Sequence, residues 1–156
     1  MGVTRRWEAR TGSPLVAPAD GPAPHPLLAR LWGARGIDDA QHMDPSLSHL
    51  PSPLLLKGMA EAAASLAQAL ASQARLVIVA DYDCDGATAC AVGLRGLRRL
   101  GALHVDFVVP DRAQDGYGLT PPIAERVKAL GADWLITVDN GIASVDGVAH
   151  ARSLGL

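Results

Sequence analysis

The sequence is poor in cysteine, in aromatic residues and in long apolar runs, and each shortage excludes a class of protein. Its 156 residues contain two cysteines, Cys84 and Cys90, too few for a disulfide framework, so we expect a reducing compartment. No apolar run approaches the ~20 residues that a membrane-spanning helix needs, and the N-terminal stretch lacks the apolar segment of a secretory signal. We therefore expect a cytoplasmic protein with no membrane association.

Aromatic residues and net charge are scarce as well. Aromatics make up 4% of the residues, so alanine and leucine must fill most of the core. The formal net charge of -2 neither favours nor excludes a nucleic-acid partner, and any basic footprint must be local. With 49% apolar and 19% charged residues, disorder throughout is excluded, and the length suits one ordinary domain with or without an appendage.

The first half of the chain is predicted to contain two segments. Residues 1–26 are rich in Pro, Gly and Ala and are typical of a flexible arm. Residues 27–74 form a helical segment, with a short helix in "LLARLWGARG" that ends at Gly36 and a proline-interrupted stretch after it. Ser52 followed by Pro53 is typical of the start of a further helix. In that helix an apolar stripe, expected to pack in the core, consists of Met59, Ala63, Leu66 and Leu70.

Residues 75–156 alternate strand and helix patterns. Three apolar runs predict strands: "LVIVA", typical of a strand buried on both faces, then "LHVDFVVP" and "WLITV". Helices are predicted at 87–100, 120–130 and 144–154, and Thr120 is the expected cap of the second one. This order indicates an α/β fold, in which a parallel sheet with flanking helices and right-handed crossovers is preceded by the mainly helical N-terminal segment.

Four aspartates follow two of the predicted strands. Asp81, Asp83 and Asp85 alternate directly after "LVIVA", and Asp139 follows "WLITV". Ligand sites of parallel sheets lie beyond the carboxyl ends of the strands, and these residues meet there if the strand order is two-one-three, which we predict. Carboxylates crowded into a small space need a positive charge to stay ionised. Oxygen ligands of this kind suit hard divalent cations such as Mn2+ or Mg2+.

Other interpretations of these aspartates exist. A single aspartate after a strand is more often a helix cap or a turn residue, but three in alternation plus a second strand-end aspartate disfavour that reading. An EF-hand loop also begins D-x-D-x-D-G, yet its twelfth position would be Val92 instead of glutamate, which excludes it. The stretch "DCDGAT" is similar to the motif of haloacid-dehalogenase-type phosphatases, with Asp83 as nucleophile and Asp85 as acid. That alternative stays open.

Three stretches of the sequence resemble one known family. "VIVADYDCDGATACA" resembles the first motif of the DHH phosphoesterase superfamily, and "LITVDNGIAS" resembles its second motif. Between them, "VPDRAQDGYGLTP" is similar to the R-x-x-x-G-Y-G-L loop of one branch of the superfamily, the bacterial RecJ single-strand-specific exonucleases. With the helical lead-in, the resemblance covers about residues 26–156.

The resemblance implies a 5′-to-3′ exonuclease specific for single-stranded DNA, dependent on Mn2+ or Mg2+, in DNA recombination and repair, with other DNA-repair proteins as further partners. By motif, Asp83 and Asp85 match the metal-binding pair of the family, and Asp139 matches the metal-binding aspartate of the second motif. These three are the expected catalytic residues, and Asp81, which opens the first motif, is a fourth candidate metal ligand. The first motif alone also allows a phosphodiesterase of oligonucleotides or cyclic dinucleotides.

The loop between the two motifs supplies candidate nucleic-acid contacts. Arg112 is a candidate for a phosphate contact, because such contacts dominate the affinity for nucleic acids. Tyr117 is a candidate for stacking on a base, or for bracing the turn between Gly116 and Gly118.

One motif of the superfamily does not occur in the 156 residues. This is the Asp-His-His motif that gives the superfamily its name. We therefore expect the chain by itself to bind metal weakly and to degrade little or no DNA, because imidazole ligands and one wall of the cleft would be missing. A non-catalytic fragment is the remaining alternative.

Overall fold

The computed structural model describes residues 24–37, 39–44 and 46–156. Residues 1–23 of the predicted flexible arm therefore lie outside the described residues. The chain divides into two compact units, residues 1–55 and residues 56–156, and each is described by itself. Among the described residues, no helix is long and apolar enough to cross a membrane.

The first unit contains one α-helix and three short 3-10 helices among its described residues. Helix α1, Pro26–Gly33, begins where the Nδ1 atom of His25 accepts a hydrogen bond from the backbone N–H of Leu27 at 3.2 Å. The predicted short helix is thus confirmed. The 3-10 helices that follow are Ala40–Met43, Leu47–His49 and Pro53–Leu55.

The second unit begins with helix α2, Met59–Ala71. A helix starting at Pro53 was expected, but Gly58, with φ of 75°, directly precedes α2, and a left-handed residue cannot continue a right-handed helix. Of the expected apolar stripe, Leu66 and Leu70 pack against the core together with buried Ala69. The expectation of core packing was wrong for Ala63, which is exposed.

A three-stranded parallel sheet forms the centre of the second unit. Its strands are β1, Leu76–Ala80, β2, Val105–Val108, and β3, Trp134–Val138. The strand order is β2-β1-β3, so the predicted order two-one-three is confirmed. Leu76 of β1 pairs in parallel with Val105 of β2 and with Trp134 of β3.

Helices cover both faces of this sheet, as the predicted α/β fold requires. The helices that follow the strands are α3, Cys84–Arg99, α4, Pro121–Ala129, and α5, Val145–Ser153. One face of β1, with Val77 and Val79, packs in a cluster with residues of α4 and α5. The other face, with Ile78, packs with residues of α2 and α3.

Strand β1 is buried along its whole length. Full burial of a valine, leucine or isoleucine side chain contributes about 1.5–3 kcal/mol, so the central strand is firmly fixed. Its carboxyl end, where the aspartates follow, is therefore a rigid base for a site.

Candidate metal centre

The sheet register brings the two aspartate motifs together. Ala80, the last residue of β1, pairs with Val138, the last residue of β3. Asp81 and Asp139 directly follow these two residues, so both lie at the same edge of the sheet. The predicted convergence of the motifs follows directly from this register.

Three carboxylates form a cluster at this edge. Asp81, Asp83 and Asp139 each offer one oxygen, and these oxygens lie within 4.8 Å of one another. Asp85 does not belong to this cluster; it is exposed in the first turn of α3. The structure therefore brings together three of the four candidate ligands named from the sequence.

Asp81 is the buried member of the cluster, with 6% of its surface exposed. Its Oδ1 accepts a hydrogen bond from the backbone N–H of Tyr82 at 2.8 Å. Its Oδ2 lies 3.6 Å from the Nη2 atom of Arg112. Since buried charges require a partner, Arg112 supplies part of the charge compensation that this carboxylate needs.

Asp83 is a helix cap as well as a member of the acidic cluster. It is the N-cap of α3, and its Oδ1 accepts a hydrogen bond from the backbone N–H of Gly86 at 3.0 Å. This cap starts the helix at Cys84, three residues before the predicted start at Ala87. The cap engages Oδ1 only, so the second carboxylate oxygen is available to the cluster, and the helix N-terminus favours its negative charge.

Asp139 carries the clearest sign of crowded negative charge. Loss of solvent contact and the nearby carboxylates of Asp83, Asp85 and Asp81 raise the pKa of Asp139 above its usual value. Its backbone has φ of 59°, a left-handed conformation that aspartate adopts more readily than most residues. A hard divalent cation would relieve the repulsion among these oxygens, so the donor set fits Mn2+ or Mg2+.

The backbone around the cluster is tightly packed. A Cβ atom placed on Gly86 would lie closer than 3.0 Å to the backbone of Asp81. A side chain at this position would therefore push the first motif and the start of α3 apart. This is the physical reason for glycine in the sequence "DCDGAT".

Asn140 is a site residue that the sequence reasoning missed. Its Nδ2 donates hydrogen bonds to the carbonyl oxygens of Val79, at 3.0 Å, and Val138, at 2.8 Å. The amide thus links the ends of β1 and β3 immediately before Asp81 and Asp139. An amide directly after the strand-end aspartate in "VDNG" was the available signal.

Both candidate nucleic-acid contacts lie beside the acidic cluster. The guanidinium of Arg112 lies over the ring of Tyr117, 5.0 Å from its centroid. The hydroxyl of Tyr117 donates to the backbone carbonyl of Asp139 at 3.4 Å. Loss of solvent contact and the charges of Asp81 and Asp139 raise the pKa of Tyr117, while Arg112 opposes them; the phenol is therefore neutral at neutral pH.

A second tyrosine, also missed from the sequence, completes this group. The guanidinium of Arg112 lies 4.2 Å from the centroid of the Tyr82 ring. Tyr82 stands between two aspartates of the first motif, and its alternation with them was the only sequence signal.

Local hydrogen bonds fasten the loop that carries Arg112. The Oδ2 atom of Asp115 accepts from the backbone N–H of Asp111 at 2.8 Å and from the Nη2 atom of Arg126, on α4, at 2.9 Å. The hydrogen bond from Asp111 is the largest cause of the lowered pKa of Asp115, and the hydrogen bond and positive charge of Arg126 lower it further. The loop is thereby tied to the helix beneath it.

The fold and the acidic cluster agree with the comparisons to known proteins. Residues 75–156 match the model of the DHH family, N-terminal domain, and the chain belongs to this family. "DCDGAT" is thereby part of a DHH motif and not of a haloacid-dehalogenase motif.

Within the family, the chain is similar to the single-stranded-DNA-specific exonuclease RecJ. It is 41% identical to RecJ of Salmonella typhimurium over 152 residues, which are 97% of this chain and 26% of that protein. It is 42% identical to RecJ of Escherichia coli over 131 residues, 84% of this chain and 23% of that protein. The chain therefore spans about a quarter of the length of these curated relatives.

Two solved structures give the same result. A crystal structure of exonuclease RecJ bound to manganese has a TM-score of 0.59 and 37% identity, covering 68% of this chain and 27% of that one. RecJ of Thermus thermophilus in complex with Mn2+ has a TM-score of 0.54 and 34% identity, covering 84% of this chain and 18% of that one.

Proposed function

We propose that the chain contributes the acidic metal site of a 5′-to-3′ exonuclease specific for single-stranded DNA, acting in recombination and repair. The observation that carries this proposal is the cluster of Asp81, Asp83 and Asp139, whose oxygens lie within 4.8 Å of one another. Its position next to Arg112 supports the proposal, because a group suited to a divalent cation then lies beside one suited to a phosphate. The similarity to RecJ supports the choice of single-stranded DNA as substrate.

Asp81, Asp83 and Asp139 are the proposed holders of Mn2+ or Mg2+, and Asp85 is a fourth proposed ligand in the first turn of α3. When bound, such a metal polarises a phosphate and lowers the pKa of a bound water. The carboxylates contribute by fixing the ion at the end of the rigid strand β1. Asn140 holds the two strand ends at the spacing that the cluster requires.

Arg112 and Tyr117 are the proposed contacts to DNA. The side chain of Arg112 is 49% exposed, so its guanidinium has room for a phosphate oxygen in addition to Asp81. Arginine forms strong, directional bonds to phosphate. Tyr117 is 53% exposed and neutral, and its ring suits stacking on a base, which is tolerant of sequence.

The setting of the protein follows the same proposal. The cytoplasm is the proposed location, in keeping with free thiols at exposed Cys84 and buried Cys90. Other DNA-repair proteins are proposed as further partners, as the resemblance to RecJ implies.

The test is digestion of a single-stranded oligonucleotide labelled at either end, with and without Mn2+. Because the chain by itself is expected to degrade little DNA, the protein is used in large excess over the oligonucleotide. We expect slow, metal-dependent release from the 5′ end and little digestion of a duplex. Asp83→Asn should reduce the rate by about 100-fold or more, since even the loss of an outer-shell partner of a metal site costs about 10- to 100-fold. Asp106→Asn, the same change at an exposed position of strand β2, is the control.

Two results would contradict the proposal. One is an equal loss of rate in Asp83→Asn and Asp106→Asn, which would separate the activity from the cluster. The other is hydrolysis of cyclic dinucleotides without digestion of the oligonucleotide, which would indicate a different DHH phosphodiesterase.

A further inference from the structure

The guanidinium of Arg112 lies between two tyrosine rings that come from different parts of the chain. Its distance to the ring centroid is 4.2 Å for Tyr82 and 5.0 Å for Tyr117, both within the ~6 Å range of cation–π attraction. Tyr117 belongs to the same loop as Arg112. Tyr82 belongs to the aspartate motif at the end of β1, and its ring is the nearer one.

We propose that Tyr82 is a positioning residue that holds the guanidinium of Arg112 beside the acidic cluster, ready for a phosphate of single-stranded DNA. This inference rests on the proposed function of the site. Tyr82 is well suited to the task, because its backbone is fixed between two members of the cluster and its N–H donates to Asp81 at 2.8 Å. The ring therefore connects the loop that carries the cation to the motif that carries the carboxylates.

The ion pair alone does not fix the guanidinium. The Nη2 atom of Arg112 lies 3.6 Å from Oδ2 of Asp81, farther than in a hydrogen bond. An arginine side chain also has many rotamers to lose on ordering. A planar guanidinium stacks well on an aromatic face. The ring of Tyr82 thus supplies the orientation that a loose ion pair lacks.

Tyr82 also attracts Arg112 when a bound divalent cation makes Asp81 a poorer partner for the guanidinium. Asp81 cannot give its full charge both to a divalent cation and to Arg112. The aromatic face of Tyr82 attracts the guanidinium in either case. We therefore expect the contribution of Tyr82 to be visible in DNA binding and not only in turnover.

The test is a double-mutant cycle read by fluorescence anisotropy of a labelled single-stranded oligonucleotide, with metal withheld so that no digestion occurs. The proteins are wild type, Tyr82→Leu, Arg112→Gln and the double variant. Tyr82→Leu should weaken binding by about 2- to 5-fold, the range of a cation–π contact at an exposed site. In the Arg112→Gln background it should have no further effect, because Tyr82 acts through Arg112.

Two more variants separate positioning from a general structural role. Tyr82→Phe keeps the ring and should restore binding to the wild-type level. Phe107→Leu removes a ring of similar exposure, 49% against 53% for Tyr82, from strand β2, and should leave binding unchanged. Tyr82→Leu should also reduce the salt dependence of binding, as the loss of a phosphate contact does.

Each contrary result has a distinct meaning. If Tyr82→Leu binds like wild type, or loses as much affinity in the Arg112→Gln background, the inference is overturned while the proposed function stands. If Arg112→Gln itself binds like wild type, the inference fails together with the proposed phosphate contact. If the wild-type protein neither binds nor digests single-stranded DNA, the proposed function fails as well.

Discussion

The side-chain amide of Asn140 donates a hydrogen bond to the backbone carbonyl of Val79, 61 positions earlier in the chain, at 3.0 Å. A second bond from the same nitrogen reaches Val138 at 2.8 Å. Both carbonyls lie near the carboxyl ends of their strands, beyond which the carboxylates of the cluster follow. The spacing of the acidic cluster thus depends on a residue that is not one of its carboxylates.

Replacement of Asn140 by aspartate should destabilise the protein and weaken metal binding. The change keeps the shape of the side chain but removes both donors and places a negative charge against two carbonyls. A buried acceptor left without its partner costs about 1–3 kcal/mol, measurable as a drop in the free energy of unfolding in urea.

The control is Gln68→Glu, the same change from amide to carboxylate at an exposed position of α2. It should change the free energy of unfolding by no more than about 0.5 kcal/mol, as is usual for surface substitutions. Equal stability of Asn140→Asp and wild type would show that the link between the strands is dispensable.

Two glycines of helix α3 should respond in opposite directions to alanine. At Gly86 the added methyl group meets the backbone of Asp81, whereas at Gly96 nothing lies within 4 Å of it. Overpacking costs about 1–3 kcal/mol, and alanine stabilises an open helical position by about 1 kcal/mol relative to glycine. Thermal unfolding of the two variants should therefore move in opposite directions.

Metal affinity provides a second comparison of these glycine variants. Gly86→Ala should also bind Mn2+ more weakly, since it displaces Asp81 from Asp83. Equal melting temperatures for the two variants would contradict the close approach of α3 to strand β1.

The contribution of Asp115 to stability should depend on pH. Because the pKa of Asp115 is lowered in the folded protein, its ionised form is the one that folding favours. The contribution is present at neutral pH and is lost as the pH falls through the lowered pKa. The difference in free energy of unfolding between wild type and Asp115→Asn should therefore shrink on acidification.

Arg126→Gln is the matched variant for this loop. In this variant the backbone N–H of Asp111, the largest cause of the lowered pKa of Asp115, remains in place. We therefore expect the free energy of unfolding of Arg126→Gln to keep most of its dependence on pH. For either variant, a difference in the free energy of unfolding from wild type that grows on acidification would contradict the assigned hydrogen bonds.

The sheet could be predicted because its signals are local and strong. The run "LVIVA" has no polar residue and is buried throughout, and "WLITV" coincides with β3. The strand order followed from the need to bring two groups of aspartates together. The start of α3 was missed because Asp83 was assigned to the ligand set, although the same carboxylate also caps the helix.

The details of the centre could not be read from the sequence. Asp85 stands apart from the cluster because it lies within the first turn of α3. That position depends on where the helix begins. Tyr82 and Asn140 act through contacts with Arg112 and Val79, partners that are distant in the sequence. Such pairs become visible only when the sheet register is known.

Binding of a divalent cation by Asp81, Asp83 and Asp139 is tested by titration of the purified protein with Mn2+, followed by electron paramagnetic resonance. Replacement of each aspartate by asparagine should weaken binding by about 10-fold or more, and Asp106→Asn, on strand β2, should bind like wild type. Asp85→Asn, measured alongside, tests the fourth proposed ligand. Unchanged Mn2+ affinity in Asp83→Asn and Asp139→Asn would show that the acidic cluster does not hold the cation.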